Sequence, residues 1–171
     1  MVGGQGDNSV GQASPSSAEF WASSPQETHC LLPEIPRQMW QPSVAVVGSR
    51  ALVCSGSGCL WLEKDGWQVG PDTVQMRRYH TSAVTEEGVL LVGGMDSPTT
   101  TELVPLNGGE SRSSFALKRG RRDHCSIQTG LNSFVLTGGR LEGTSRLVTE
   151  FTLLGLDQVN PKDLPSLKQG R

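Results

Sequence analysis

Aromatic residues are scarce in this chain, and long apolar runs do not occur in its sequence. Phe, Trp and Tyr make up 5% of the 171 residues, and Tyr79 is the only tyrosine. No segment approaches the roughly 18 consecutive apolar residues of a membrane-spanning helix, so no membrane span is predicted. Positive and negative charges nearly cancel, with a net charge of -2. No overall field attracts nucleic acid, and no nucleic-acid partner is predicted.

Helical periodicity is also missing from the sequence. Apolar runs such as SVAVV, ALVC and VLLV are short, and each ends at Gly or Ser. The 21 glycines and 10 prolines are spread along the chain, as expected for many short strands joined by turns. The sequence therefore predicts an all-β fold.

Two blocks of sequence, residues 77–106 and 121–153, repeat the same order of features. Each begins with Arg-Arg-x-His and continues through a short strand, a polar turn, an apolar run, a double glycine, a polar loop and a strand with Thr-Glu. His80 and His124 are 44 positions apart, and Gly94 and Gly139 are 45 positions apart. A period of roughly 40 to 50 residues built from strands alone is typical of propeller blades.

Weaker copies of the pattern flank these blocks and divide the whole chain into units. Residues 1–39 are interpreted as an incomplete blade with a partly disordered N-terminal stretch, and residues 40–79 as a degenerate blade. Residues 80–123 form one further blade, and residues 124–171 form another together with the start of a fifth repeat. Both ends interrupt the pattern, so we expect a fragment of a larger propeller; the alternative is a closed propeller of four blades.

The order of an apolar run, Gly93-Gly94, a strand, an aromatic residue and then a basic residue before a His or an aromatic resembles kelch repeats of the galactose oxidase/kelch-like superfamily. The resemblance covers most of residues 40–171 and, more faintly, residues 1–39. It implies that each unit folds as a four-stranded antiparallel blade and that the chain forms a partial or small β-propeller. Trp67 and Phe115 lie near the position where kelch units carry a tryptophan.

The most regular residues of the repeat are assigned structural roles. Glycines at the end of each apolar run permit positive φ and close backbone approach where the chain turns sharply. The histidines are interpreted as junction residues hydrogen-bonded between blades, and the arginines as bridges to carboxylates or carbonyls of the adjacent blade. These structural repeat positions are Gly93, Gly94, Gly138, Gly139, Arg78, His80, Arg122, His124, Trp67 and Phe115.

The four cysteines leave two interpretations open. Cys54 and Cys59 flank the sequence SGSG on consecutive strands, where they can form a disulfide across a hairpin. Alternatively, these two residues, Cys30 and Cys125 are small buried thiols in a reducing compartment. The disulfide interpretation favours an extracellular over a cytoplasmic location, but the sequence does not determine the compartment.

No residue pattern predicts catalysis, a metal site or a cofactor. His29-Cys30 and His124-Cys125 are adjacent pairs, and neighbours on a strand point to opposite faces, which disfavours joint ligation of one ion. Kelch-like copper radical oxidases use two tyrosines, whereas this chain has only Tyr79. The basic cluster at 118–122 has a counterpart in the previous unit, which favours a repeat-linked role over nucleic-acid binding.

These observations favour a non-catalytic protein-interaction module built on kelch repeats. Its polar loops, including MDSPTTT and RLEGTS, would present short segments to a protein partner of unknown identity. Unpaired blade edges also predict self-association. The alternative is a fragment of a secreted, carbohydrate-active or oxidase-like propeller whose active site lies outside this chain.

Overall fold

The structure is a computed structural model that describes residues 19–20, 30–31, 33–141, 151–155 and 162–164. All regular elements in these ranges are strands, which confirms the predicted all-β class. Among the described residues there is no helix with the length and apolar character needed to cross a bilayer. Most of the predicted unit 1–39, and the loop RLEGTS beyond residue 141, lie outside the described residues.

The described residues contain fifteen strands. In chain order these are β1 (Glu19–Phe20), β2 (Cys30–Leu31), β3 (Ser43–Val47), β4 (Arg50–Glu63), β5 (Gly66–Arg77), β6 (Thr81–Val84), β7 (Gly88–Val92), β8 (Thr100–Pro105), β9 (Arg112–Ala116), β10 (Arg121–Arg122), β11 (Cys125–Gly130), β12 (Ser133–Thr137), β13 (Arg140–Leu141), β14 (Phe151–Gly155) and β15 (Lys162–Leu164).

Three antiparallel meanders contain most of these strands. The first sheet has the order β3-β4-β5, the second has the order β6-β7-β8-β9 and the third has the order β11-β12-β14-β15. β1 pairs with β2, and β10 pairs with β13. The second and third sheets confirm the expected four-stranded antiparallel form. The sheets occupy residues 43–77, 81–116 and 125–164, and the division of the chain into repeats at 40, 80 and 124 stays a prediction.

The second sheet lies between the other two, and β7 shows why its sequence is apolar without interruption. All five residues of β7 are buried. Successive side chains of a strand point to opposite faces, so Val89 shares a core cluster with Leu52 of the first sheet. Leu90 shares a different cluster with Phe134 of the third sheet. Burying each such side chain contributes about 1.5 to 3 kcal/mol, so these two clusters hold the three sheets together.

The first sheet differs from the expected blade because β4 folds back on itself. Its residues 50–54 pair with β3, whereas residues 56–63 pair with β5. The Cα atoms of Cys54 and Cys59 are 4.1 Å apart, although five residues of extended strand span about 16 Å. Gly56, with φ of 64°, lies at the turn between them. The two halves of β4 therefore run side by side, with an ion pair of 3.1 Å between Arg50 and Glu63.

The segment before β3 covers part of the first sheet on the side that faces away from the second sheet. Ile35 and Met39 are buried against Val53 and Leu60 of β4. Trp67 packs at the edge of the same cluster, and its indole N–H donates to the Pro33 carbonyl at 2.8 Å. This face is therefore partly closed by the chain that leads into it.

Candidate functional site

Three turns with unusual backbone geometry lead into the three sheets. Gln41, Tyr79 and Asp123 are the non-glycine residues with positive φ among the described residues, with values of 47°, 58° and 54°. Each lies two positions before the first strand of a sheet, which is β3, β6 or β11. We call these three the leading strands; β6 contacts both β3 and β11. Residues that lie the same number of positions after Gln41, Tyr79 and Asp123 are therefore equivalent in the three sheets.

One histidine in each of two turns bonds to the leading strand of the preceding sheet. His80 Nε2 lies 2.8 Å from Ser43 Oγ, the first residue of β3. His124 Nε2 lies 3.1 Å from Thr81 Oγ1, the first residue of β6. The same histidine–hydroxyl contact thus joins the first sheet to the second and the second to the third.

Both histidines are buried, and burial determines their charge. Removal from water lowers the pKa of His80 to about 3, with a smaller contribution from the charge of Arg77. Removal from water also lowers the pKa of His124 to about 4, assisted by the charge of Arg121. Both imidazoles are neutral at pH 7, so they act as hydrogen-bonding groups inside the junctions rather than as cations.

Serine side chains make a second repeated contact between the leading strands. Ser82 Oγ donates to the carbonyl of Val44 at 3.1 Å, and Ser126 Oγ donates to the carbonyl of Ser82 at 3.0 Å. The side chain of Gln128 also bonds to both backbone groups of Val84. The second and third sheets are therefore each hydrogen-bonded to the preceding sheet through equivalent positions.

The first arginine of the Arg-Arg-x-His sequence is a buried residue that the predicted repeat positions do not include, although the bridging role was predicted for the Arg-Arg pair. Arg77 forms an ion pair with Glu102 and donates to the carbonyls of Gly93 at 2.9 Å and Thr100 at 3.1 Å. Burial lowers the pKa of Arg77, and Glu102 opposes this shift by charge and hydrogen bonding. The signals in the sequence were the repeated Arg-Arg pair and the Thr-Glu of the third strand.

The double glycines lie directly against the junction backbone. A Cβ atom on Gly94 would lie 2.8 Å from the carbonyl oxygen of Arg78, and one on Gly139 would lie 2.6 Å from that of Arg122. Both glycines have positive φ, 111° and 93°. The same close approach thus occurs in two successive units and explains the second glycine of each pair sterically.

The second arginine of each turn lies at the surface. Arg78 makes two hydrogen bonds of 3.0 Å to the carboxylate of Asp96, and the Arg78 carbonyl accepts from the backbone N–H of Met95 at 2.7 Å. Arg122 lies opposite Arg140 in the pairing of β10 with β13. Trp40 holds the equivalent position before the first sheet and is exposed.

These residues form a candidate interaction surface at one end of the stacked sheets. We define this junction surface as Trp40, Arg78, Met95, Arg122 and Arg140. Two backbone hydrogen bonds connect the junctions of the second and third sheets: the Gly94 N–H donates to the Arg121 carbonyl at 3.0 Å, and the Asp123 N–H donates to the Tyr79 carbonyl at 3.1 Å. The surface therefore combines an exposed tryptophan and methionine with arginines on a hydrogen-bonded base.

The remaining candidate residues are distributed as follows. Phe115 packs against the cluster between the second and third sheets, whereas Trp67 lies on the far side of the first sheet. In the basic cluster, Arg121 is buried while Lys118 and Arg119 are exposed. The cluster is therefore split between core and surface and does not form one continuous basic patch.

The cysteines separate into a pair and a single thiol. The Sγ atoms of Cys54 and Cys59 are 2.06 Å apart, which confirms the predicted pairing. Cys125 is a free and exposed cysteine. Cys30 lies in β2, and its side chain is outside the described part of the structure. Within that part, no group of three or more His, Cys, Asp or Glu residues is placed to hold a metal ion.

Comparison with protein-family models finds no match to this chain, and comparison with curated proteins finds no significant match either. The functional interpretation therefore rests on the geometry of the junctions and of the junction surface.

Proposed function

We propose that this chain is part of a kelch-like β-propeller and acts as a non-catalytic protein-interaction module. The propeller interpretation is supported by three antiparallel meanders that stack through equivalent histidine–hydroxyl and serine–carbonyl contacts. Blades of a propeller pack face to face with their first strands adjacent, and β6 contacts both other leading strands in this way.

The junction surface is the observation that carries the binding function. Tryptophan, methionine and arginine are enriched at protein interfaces relative to the rest of the protein surface. Trp40 and Met95 are among the exposed large apolar residues of the described chain. Met95 is bonded to Arg78 through its backbone N–H, and Trp40 holds the position before the first sheet that Arg78 and Arg122 hold before the second and third. The guanidinium of Arg122 offers charge-assisted hydrogen bonds to carboxylates of a partner.

The base of this surface is preorganised for binding. The loop that carries Met95 is tied to the preceding turn by its own N–H and by the paired bonds between Arg78 and Asp96. Ser97 and Pro98 of the same loop are buried. A loop held in this way loses little conformational entropy when a partner binds, which favours affinity.

The disulfide favours a second candidate function. Disulfides persist in oxidising compartments, and the Cys54–Cys59 pair is consistent with a secreted propeller. In that case the chain would be the non-catalytic part of a carbohydrate-active or oxidase-like protein whose active site lies on other blades. Binding of the purified chain to a glycan array would favour this candidate over protein recognition.

Affinity capture with matched variants tests the interaction module. The Trp40→Ala/Met95→Ala variant removes the apolar part of the junction surface, and Val69→Ala/Val74→Ala removes exposed apolar side chains of β5 as a control. We expect wild type and control to retain the same set of proteins, measured by quantitative mass spectrometry, and the junction variant to lose them. Equal recovery by all three chains would contradict the proposal.

A further inference from the structure

The third sheet presents a face whose equivalents in the other two sheets are buried. In the leading strands, Ala45, Ala83 and Ile127 occupy the same position relative to the turn. Ala45 and Ala83 are 6% and 4% exposed, whereas Ile127 is 56% exposed. Ala45 packs in the cluster against the second sheet, and Ala83 packs in the cluster against the third. Ile127 points to the side where a following sheet would pack.

The first glycines of the two double-glycine pairs also differ in whether the next junction covers them. A Cβ atom on Gly93 would lie 2.6 Å from the carbonyl oxygen of Arg121, which belongs to the next junction. Gly138 has a similar φ, 69° against 61° for Gly93. Among the described residues, nothing lies within 4 Å of a Cβ atom built on Gly138. The space that the next junction fills beside the second sheet is therefore not filled by the described part of the chain beside the third.

The first sheet has a complementary exposed strip on its opposite side. Val44 and Val46 of β3 are 43% and 68% exposed. Residues 33–40 cover β4 on this side, through Ile35 and Met39, but leave these two valines at the surface. The leading strand in the middle of the stack, β6, has no exposed large apolar residue, so such residues mark the two end strands.

The exposed faces of the third sheet and of the first sheet both lack the polar groups that form a junction. Ser43 and Thr81 supply the hydroxyl that a following histidine contacts, and the equivalent residue of β11 is Cys125. At the position of the histidines, the turn before β3 carries Pro42. Val44 holds the position equivalent to Ser82 and Ser126, whose hydroxyls donate to the preceding leading strand. A contact between these two faces would therefore bury no histidine or serine that lacks a hydrogen-bond partner.

We propose that the occupant of the third sheet is a second copy of this chain, which packs its β3 against β11 head to tail. Val44 and Val46 of one copy would cover Ile127 and Cys125 of the other and continue the packing that joins the sheets within each chain. Such an interface uses two different surfaces, so it extends into a ring or a chain of copies. It goes beyond the junction surface because the residues of β3 and β11 take no part in that surface.

Sedimentation velocity with charge variants tests this arrangement. Ile127→Glu alters only the third sheet, Val46→Glu alters only the first, and Val69→Glu places the same charge on β5, at a residue that is 80% exposed. We expect wild type and Val69→Glu to associate as concentration rises. Each of the other two variants alone should associate at least about tenfold more weakly, because a carboxylate would be buried against an apolar face. Circular dichroism establishes that each variant is folded.

Mixing the two association-deficient variants distinguishes head-to-tail packing from other contacts. The mixture should form a dimer with one molecule of each variant, because Val46→Glu retains an intact third sheet and Ile127→Glu retains an intact first sheet. A wild-type chain that stays monomeric at every concentration would overturn the proposal. A mixture that stays monomeric, or a Val46→Glu chain that associates as wild type does, would overturn it too.

The reactivity of Cys125 gives an independent readout. In a Cys30→Ser background, Cys125 is the one thiol outside the Cys54–Cys59 pair. Its alkylation should slow as the concentration of the chain increases, and adding Val46→Glu should remove this dependence. A rate that is independent of concentration in the background chain would contradict the proposed contact.

Discussion

Arg77 Nε and Glu102 Oε2 lie 3.2 Å apart in an ion pair whose side chains are 1% and 0% exposed. Arg77 ends the last strand of the first sheet, and Glu102 lies in the third strand of the second sheet. The other carboxylate oxygen of Glu102 accepts from the backbone N–H of Val74 at 2.5 Å. This pair, together with the bonds from Arg77 to the double-glycine loop, fastens two sheets to each other.

Removal of the negative charge from this pair should destabilise the fold. Glu102→Gln leaves the Arg77 guanidinium buried without its counter-charge, so we expect the free energy of unfolding to fall by about 3 kcal/mol or more. Glu63→Gln is the matched control, because it breaks an ion pair with Arg50 that is more than one-third exposed. The control should change stability by less than about 1 kcal/mol. Urea titrations measure both values, and equal losses would contradict the role of the buried pair.

The buried histidines should make stability depend on pH. An unfolded histidine takes up a proton near pH 6.5, whereas the folded pKa values of His80 and His124 are about 3 and about 4. The unfolded state then binds more protons between about pH 6.5 and pH 4, so the free energy of unfolding falls as pH is lowered through this window. Each histidine contributes at most about 1.4 kcal/mol per pH unit.

Urea titrations at several pH values between 7 and 4 measure this dependence. His80→Gln and His124→Gln should each flatten the curve in that window, because glutamine takes up no proton there. A curve of unchanged slope in both variants would show that the histidines are not held neutral in the folded chain.

A methyl group at Gly94 should be poorly tolerated. Gly94→Ala combines a positive φ of 111° with a Cβ atom 2.8 Å from the Arg78 carbonyl oxygen. Gly108→Ala is a control that shares a positive φ, 79°, but has nothing within 4 Å of the new Cβ atom. We expect the free energy of unfolding to fall by about 1 kcal/mol in the control, because of the positive φ alone. It should fall clearly further in Gly94→Ala. Equal shifts of the melting temperature would contradict close approach at the junction.

The paired cysteines should contribute measurably to stability. The bond closes a loop of about six residues, for which the chain-entropy relation gives about 2 kcal/mol. Reduction, or Cys54→Ser/Cys59→Ser, should lower the melting temperature, and peptide mapping without reductant should recover the two cysteines in one linked fragment. If both thiols alkylate in the unreduced chain, the pairing is absent.

The parts of the fold that follow from local sequence were predictable, and those that depend on stacking were not. The pattern of short apolar runs predicts strands, and the SGSG sequence between Cys54 and Cys59 predicts a reversal that brings them together. The repeated Arg-Arg pair and the Thr-Glu of the third strand mark Arg77 and Glu102 as regular features of the repeat. Charged residues are expected at the surface, however, so the repeat does not indicate that the two are buried together. Arg77 and Glu102 are 25 positions apart in sequence. They pair only because the first and second sheets pack face to face.

The candidate surface was predictable only in part, for the same reason. The loop MDSPTTT was identified from its composition, but its anchoring by Arg78 depends on the turn before β6. Trp40 was not singled out, because a tryptophan shares no side-chain chemistry with Arg78 and Arg122; the shared positive φ of Gln41 and Tyr79 shows that the positions are equivalent.

Nuclear Overhauser effects can show whether the sheets stack through equivalent histidine–hydroxyl junctions. We expect effects from the His80 ring to Ser43 and from the His124 ring to Thr81, which are 37 and 43 residues apart in sequence. A folded chain in which either histidine ring shows contacts only within its own sheet would mean that the sheets do not stack through these junctions.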